Sequence, residues 1–229
     1  MARNLHMACD SSKMKISKRL LKVAEMVKYT TMVDIGTDHG LLPIYMVRQG
    51  MVRRALATDV NPGPLARATE NIAAMDLTDY IKTQLCDGLD GVNALEYETC
   101  VITGMGGNLI IDILRRNLAA AHCFKQIVVS PQRDVADVRR FLHQNGFCIS
   151  DEELIEEKGK FYNILDISSG NEVAYDEKGY VFGKILLEKK SETMKKFVGV
   201  EIEKIRKIGR NELDGYLELC LEAMECLLK

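Results

Sequence analysis

Apolar residues along the chain recur with two alternating periods, and the alternation predicts a layered α/β architecture. Short apolar runs of strand character stand at 31–35, 55–58, 80–85, 100–103 and 126–129. Apolar residues spaced three and four apart predict helices over 18–28, 41–49, 62–75, 109–118 and 132–144. Ser17 is placed to cap the first helix, with Leu20, Leu21, Val23, Ala24 and Val27 on its buried face. Gly50 stops the second, Asn61 and Pro62 start the third, and Ser130 and Pro131 start the fifth. Strands alternating with helices in this way build a parallel sheet covered on both faces. The last two strands, 147–155 and 160–167, are joined only by Glu156-Glu-Lys-Gly159. So short a turn closes an antiparallel pair and cannot make a parallel crossover. The expectation is a mostly parallel seven-stranded sheet with an antiparallel closing hairpin, occupying 15–170.

After Ser168-Ser-Gly-Asn171 the pattern changes. From Tyr180 to Lys229 the chain is rich in Lys, Glu and Leu, with apolar residues at 194, 197/198, 202, 205 and 208, then 213, 216/217, 220/221, 224 and 227/228. That spacing is helical and close to heptad. Gly209-Arg-Asn211 and Gly215 interrupt it, which predicts two antiparallel helices, a coiled-coil hairpin forming a second unit over 177–229. Residues 1–14 carry no such pattern and are expected to be poorly tied down.

Composition narrows the function classes. A net charge of −2 argues against a generic polyanion binder, yet Lys178–Arg210 holds ten Lys or Arg against four Glu, a local excess of +6. No apolar run is long enough to cross a bilayer, and Met1–Ser17 has no apolar core of a signal peptide, so a cytoplasmic protein without membrane contact is expected. Seven scattered cysteines with no C-x-x-C imply neither a disulfide framework nor a metal site. Nothing in the pattern specifies an oligomer, and a monomer is favoured.

The chemistry is concentrated in Thr31-Met-Val-Asp-Ile-Gly-Thr-Asp-His-Gly40 and, about twenty residues on, Arg54-Ala-Leu-Ala-Thr-Asp59. Strand, glycine turn, helix, strand and terminal acid open a nucleotide-binding βαβ unit. A dinucleotide fingerprint needs glycine where this chain has Asp38 and Leu41, and a carboxylate there would face two phosphates. S-adenosylmethionine has no phosphate and carries a sulfonium and an ammonium. Asp34, Asp38, Asp59 and Asp87 suit that cation better, Asp59 being placed to accept both ribose hydroxyls. The N-terminal half therefore reads as a methyltransferase. Taken alone, Asp59 is more often a turn residue or an N-cap for the helix over 62–75, and Asp87-Gly88 is as readily a plain turn; the order and spacing of the whole series carry the weight. The fourth strand runs into Gly104-Met-Gly-Gly107, bare backbone that a flat base can approach, and Gln132 and Arg133 stand at the rim of the same cleft. Arg19, near the start of the first helix, is placed either to reach the cofactor carboxylate or a phosphate, or to stand as an ordinary surface arginine, which is the default for the residue type.

These turns, with Asp87-Gly88, Thr103-Gly-Met-Gly-Gly107, Ser130-Pro-Gln132 and Lys160-Phe-Tyr162, resemble in order and spacing the bacterial tRNA (adenine(22)-N(1))-methyltransferases, the TrmK family. Ser130-Pro-Gln132 stands where many members have Gln-Pro-Asn. The resemblance implies a class I methyltransferase fold, S-adenosyl-L-methionine as cofactor and methylation of N1 of an adenine in tRNA. Cofactor contacts are then expected from Arg19, Asp34, Gly36, Thr37, Asp38, His39, Gly40, Asp59, Val60, Asp87, Gly88, Gly104 and Met105. Asp34, Asp38, Gly104 and Met105 would stabilise the cationic base as it forms. Gly106, Gly107, Gln132 and Arg133 would meet the substrate. The basic segment 178–210 is by its charge alone more simply a solvated helix; beside a tRNA substrate the expectation is that its Lys189, Lys190, Lys195 and Lys196 hold tRNA phosphates. A methyltransferase for protein or small molecules, and a regulatory module that binds adenosine ligands without turnover, are the competing expectations.

Overall fold

Burial on both faces favours apolar residues along a whole strand, and the first strand of this protein, Thr31–Ile35, is enclosed along its whole length. The computed structural model describes residues 16–208 and 214–229. In chain order the elements are α1 (Lys18–Met26), β1 (Thr31–Ile35), α2 (Leu41–Arg48), β2 (Arg54–Asp59), α3 (Pro62–Ala74), β3 (Ile81–Leu85), β4 (Thr99–Thr103), α4 (Gly107–Arg116), α5 (Leu118–Ala121), β5 (Gln126–Ser130), α6 (Val135–Gln144), β6 (Phe147–Glu157) and β7 (Lys160–Ser169). Four helices follow: α7 (Glu177–Phe182), α8 (Lys184–Lys189), α9 (Glu192–Ile208) and α10 (Asp214–Leu228).

The seven strands form one sheet in the order β3-β2-β1-β4-β5-β7-β6. β1 to β5 are mutually parallel, and β7 runs against both β5 and β6. This is the Rossmann-like methyltransferase fold with its closing hairpin. Strand order reverses between β1 and β4, so the loops leaving these two strands diverge and open a crevice at their carboxyl ends. Two apolar cores pack the faces: α1, α2 and α3 bury Val23, Ile44 and Ile72 on one, while α4 and α6 bury Ile110, Leu114 and Phe141 on the other. Positive φ at Lys158 (51°) and Gly159 (74°) gives the β6–β7 hairpin the tight turn that matches strand twist.

Some boundaries differ from expectation for identifiable reasons. Ser17 caps α1 as predicted, its hydroxyl accepting from the Leu20 N–H at 3.2 Å, but Leu21 is exposed and Met26 takes its place in the core. Asn61 offers no side-chain cap to α3; its N–H donates to Asp59 Oδ1 at 2.8 Å. The helix expected from Gln132 begins at Val135. Ser130 is paired with Thr103 as the last residue of β5, and the following loop is tied to the β4 turn by Gln132 N–H to Met105 O (2.8 Å) and Gly107 N–H to Arg133 O (3.0 Å). α4 in turn starts at Gly107 and breaks at Asn117, short of Leu118.

The C-terminal pair of helices is present as α9 and α10, preceded by two short helices the periodicity did not reveal. Met194, Val198, Ile202 and Ile205 face Cys220, Ala223 and Leu227, and the seam continues onto Leu154 of β6 and onto Phe182, Leu186 and Leu187. Ile208, Leu221 and Leu228, expected in that stripe, are exposed. Gly215 lies inside α10 and does not interrupt it; residues 209–211 and the expected loose segment 1–14 fall outside the described residues. α7 and α8 are separated by Gly183 because of what lies behind it. Arg139 of α6 and Glu152 of β6 are both fully buried and joined Nε to Oε1 at 2.7 Å. Arg139 also donates to the carbonyls of Tyr180 and Val181 and to Asn163 Oδ1. A Cβ at residue 183 would stand 2.7 Å from both Arg139 Nη2 and Glu152 Oε2, and φ there is 88°, so only glycine fits.

Removing one member of a buried ion pair strands the other in low dielectric, whereas replacing both by apolar groups of similar volume does not. Glu152→Gln is expected to lower the unfolding free energy by about 3–5 kcal/mol, and the double variant R139M/E152L to recover most of that loss. Urea denaturation of the three proteins checks this; a loss of under ~1 kcal/mol for E152Q would remove the pair from its place in the fold.

Candidate active site

The carboxyl ends of β1 to β5 deliver their loops to one crevice of about 550 Å³. Strand order sets the sequence of groups along it: Asp87 after β3, Asp59 ending β2, Asp34 and Gly36 from β1, Gly104 and Met105 after β4, and Gln132 after β5. α1 adds Arg19 from the face that covers the sheet. Gly36 holds φ 72°, and a Cβ there would collide with the Met105 side chain, so the β1 turn and the β4 turn pack against each other across the crevice.

Each polar group has a distinct electrostatic setting. Asp34 is buried, and loss of water lifts its carboxyl from the usual range to about 7, with the Thr37 hydroxyl and the Arg19 guanidinium pulling it back. Arg19 Nη1 is buried and has no hydrogen-bond partner among the described residues, and its guanidinium lies 5.7 Å from the centre of the Tyr162 ring. Asp59 is buried with Oδ1 on the Asn61 N–H. Asp87 is half exposed and gripped by both Arg116 nitrogens, at 2.7 and 3.0 Å; that hydrogen-bonded guanidinium holds its carboxyl below the usual range.

A buried cationic donor with a free N–H beside a buried acid is the complement of an amino-acid end, carboxylate to Arg19 and ammonium to Asp34. Asp59 retains acceptor capacity for a ribose diol, and Asp87 for an exocyclic amine. These residues fit S-adenosylmethionine.

Other predicted residues sit differently. Asp38 reaches the crevice but its side chain is 77% exposed, 3.3 Å from His39, so it exerts a solvent-screened field quite unlike that of Asp34. Val60 lines the crevice as an exposed apolar edge. Thr37, His39 and Gly40 shape the turn: Thr37 N–H donates to Thr58 O (2.7 Å), His39 O accepts from Asn71 (2.9 Å), and Gly40 packs on Ala68. Gly88 packs on Ile113. Gly107 is a correction. It was expected to face substrate, but it is buried, and a Cβ there would lie 2.7 Å from the carbonyls of Arg133 and Asp134, so its smallness serves loop packing. Gly106 faces Arg133, whose side chain extends outward from the rim. Lys189, Lys195 and Lys196 are engaged within the molecule, with Asp151 and Glu153, with Glu192, and with Glu156 respectively. Lys190 terminates α8 in the left-handed region.

Asn61, Cys86, Leu109 and Ile113 also line the crevice and were not among the site residues expected from the sequence. Leu109 and Ile113 are one helical turn apart in α4, a signal that was present once the helix was placed on the β4 turn. Arg116 had no such signal, because only the fold brings α4 alongside the loop after β3.

A methyltransferase domain model matches residues 16–165. The tRNA (adenine(22)-N(1))-methyltransferase of Bacillus subtilis is 31% identical over 186 residues, covering 79% of this chain and 78% of that protein. Among solved structures, the B. subtilis m1A22 tRNA methyltransferase TrmK superposes with a TM-score of 0.79 at 27% identity, covering 93% of this chain and 97% of that one. M. capricolum TrmK in complex with S-adenosyl-homocysteine superposes with a TM-score of 0.82 at 25% identity, covering 93% and 99%.

The folded protein keeps the Asp34 proton up to about pH 7, whereas the unfolded chain releases it near ~3.9, so stability of the ligand-free protein falls as pH rises between those values. Asp34→Asn is therefore expected to melt higher than the parent at pH 8, by up to about 4 kcal/mol in unfolding free energy, with the gap closing towards pH 4, while losing cofactor binding. Thermal melts at several pH values and calorimetric titration with S-adenosylmethionine check both halves. Arg116→Ala is expected to weaken cofactor binding by no more than about fivefold, as half-exposed pairs contribute about 1 kcal/mol or less, and Arg116→Lys to recover part of it.

Proposed function

Because the chain belongs to the tRNA (adenine(22)-N(1))-methyltransferase family, we propose that it methylates N1 of an adenine in tRNA, with S-adenosylmethionine as donor and position 22 as the site. The observation that carries the proposal is the buried Arg19 Nη1, unpartnered among the described residues, beside buried Asp34 in a crevice whose other acids are Asp38, Asp59 and Asp87. The pyrophosphate of a dinucleotide would meet repulsion from these acids.

When bound, the cofactor supplies a methyl group on a cationic sulfur, which is a leaving group needing no proton. The residues of this chain then divide the remaining work. Arg19 and Asp34 hold the amino-acid end, and Asp59 and Asp87 hold the ribose and adenine. Met105, Leu109 and Ile113 supply apolar wall that excludes water from the line of displacement. Gly104, at the carboxyl end of β4, offers bare backbone to a flat ring. N1 of adenine carries a free lone pair, so no side chain has to remove a proton before attack, but in a helix or tertiary pair that lone pair is occupied and the base must be drawn out. The methylated base is cationic; ionised Asp34 and the carbonyls of the β4 turn place negative potential beside it. Asp38, largely in water, contributes little to this. The helical unit over 177–229 is proposed to face the body of the tRNA, with its charge excess concentrated in 178–210.

Purified protein incubated with methyl-labelled S-adenosylmethionine and an unmodified tRNA transcript is expected to yield one 1-methyladenosine per tRNA, and none with a transcript in which guanine replaces the adenine at the target position. Label appearing in protein, or in the guanine-substituted transcript to the same extent, would overturn the assignment.

A further inference from the structure

Lysines drawn into ion pairs with neighbouring acids present little net charge to an approaching phosphate, and three of the lysines offered by the C-terminal sequence are in that state, Lys189 and Lys196 with acids of β6 and Lys195 with Glu192 of its own helix. Another set of cations stands at the mouth of the crevice. β7 is antiparallel to β5, so the turn between β6 and β7 lies at the same sheet edge as the carboxyl ends of β1 to β5. Lys158 and Lys160 occupy that turn, both exposed, with no acid within ion-pair distance among the described residues.

The turn is joined to the crevice on both sides. The Lys18 backbone N–H donates to Glu157 Oε1 at 2.8 Å, fixing the start of α1 beside the hairpin tip with the Lys18 side chain exposed. The next residue, Arg19, enters the crevice and lies over Tyr162, two positions past Lys160 on β7. On the neighbouring strand, Arg133 leaves the loop after β5 with its side chain 79% exposed, Nε 3.5 Å from Asp134. Four cations are thus set against Glu157 and Asp134, a local excess of two positive charges at the rim nearest β5 and β7. A base drawn from its stack remains tied to its own two phosphates, so the strand that delivers it has to cross the mouth.

We propose that Lys18, Lys158, Lys160 and Arg133 form a phosphate clamp for the RNA strand on either side of the target adenine. This deepens the tRNA assignment above and rests on it. The clamp acts on the nucleotides flanking the reacting base, whereas the C-terminal helices meet more distant parts of the tRNA. Glu157, held by the Lys18 N–H, keeps α1 and the hairpin tip together, so the clamp and the cofactor-binding Arg19 move as one piece.

The full-length double variant K158A/K160A is compared with K195A/K196A and with K158R/K160R, using unmodified tRNA transcript over a series of potassium chloride concentrations. K158A/K160A is expected to raise KM for tRNA about tenfold and to reduce the slope of log KM against log salt by about 1.5, at roughly 0.7–0.9 for each phosphate no longer neutralised. Its affinity for S-adenosylmethionine stays within about twofold, K158R/K160R restores the salt slope, and K195A/K196A has the smaller effect on KM. If K158A/K160A leaves KM and slope unchanged, or K195A/K196A has the larger effect, the clamp is not at the hairpin. Parent protein that fails to methylate the transcript at all overturns the tRNA assignment instead, independently of the variants.

Discussion

A carboxylate enclosed by apolar strands bears its charge comfortably only when something positive is brought to it, and Asp34 imposes that condition on the whole molecule. The residue belongs to β1, the strand buried on both faces and paired with β2 and β4. Its environment is set by the sheet before any ligand arrives. Arg19 answers part of the demand from α1, and the rest is left for a cationic ligand to answer. The same desolvation that weakens the ligand-free fold sharpens the preference for a cationic ligand over an anionic one, so the loss of stability and the choice of cofactor have one origin. Catalytic sites commonly keep such conflicts, because a group satisfied in advance has nothing left to offer a ligand.

Much of this was legible in the sequence. The strand-turn-strand series up to Asp59 could be placed because parallel strands are continuous apolar runs and their ends are marked by glycine or acid. The direction of the final hairpin followed from the length of one turn. What could not be seen depended on contacts between distant segments. The start of α6 moved because the loop after β5 hydrogen-bonds to the turn after β4, an association no local signal announces. Gly107 looked like a residue awaiting a base, and it proves to be one that another backbone presses upon. Lysines at 189, 195 and 196 counted as free charge in one dimension and are paired in three, since the acids that neutralise them lie some 40 residues away or on the adjoining turn.

The joint between the sheet and the C-terminal helices is polar at its centre and apolar around it. Arg139 reaches from α6 through the layer to Glu152 and to the carbonyls that end α7, and Gly183 leaves room for the pair. An apolar plug would have bound these layers as firmly. The guanidinium adds direction, because its donors meet fixed acceptors only when α6, β6 and α7 are in one register. The C-terminal helices are in this way indexed to the strand bearing the hairpin at the crevice mouth.

β6 closes one border of the sheet, and a border strand is an invitation for a foreign strand to add on. This one is interrupted by a bulge between Ile149 and Asp151, and it carries a dense run of acids from Asp151 to Glu157. Lysines from α8 and α9 cross over to it, Lys189 taking the Glu152 carbonyl as well as two carboxylates. The helical segment is therefore also a guard against self-association: without it the edge would stand bare, and copies of the chain could add to one another through it.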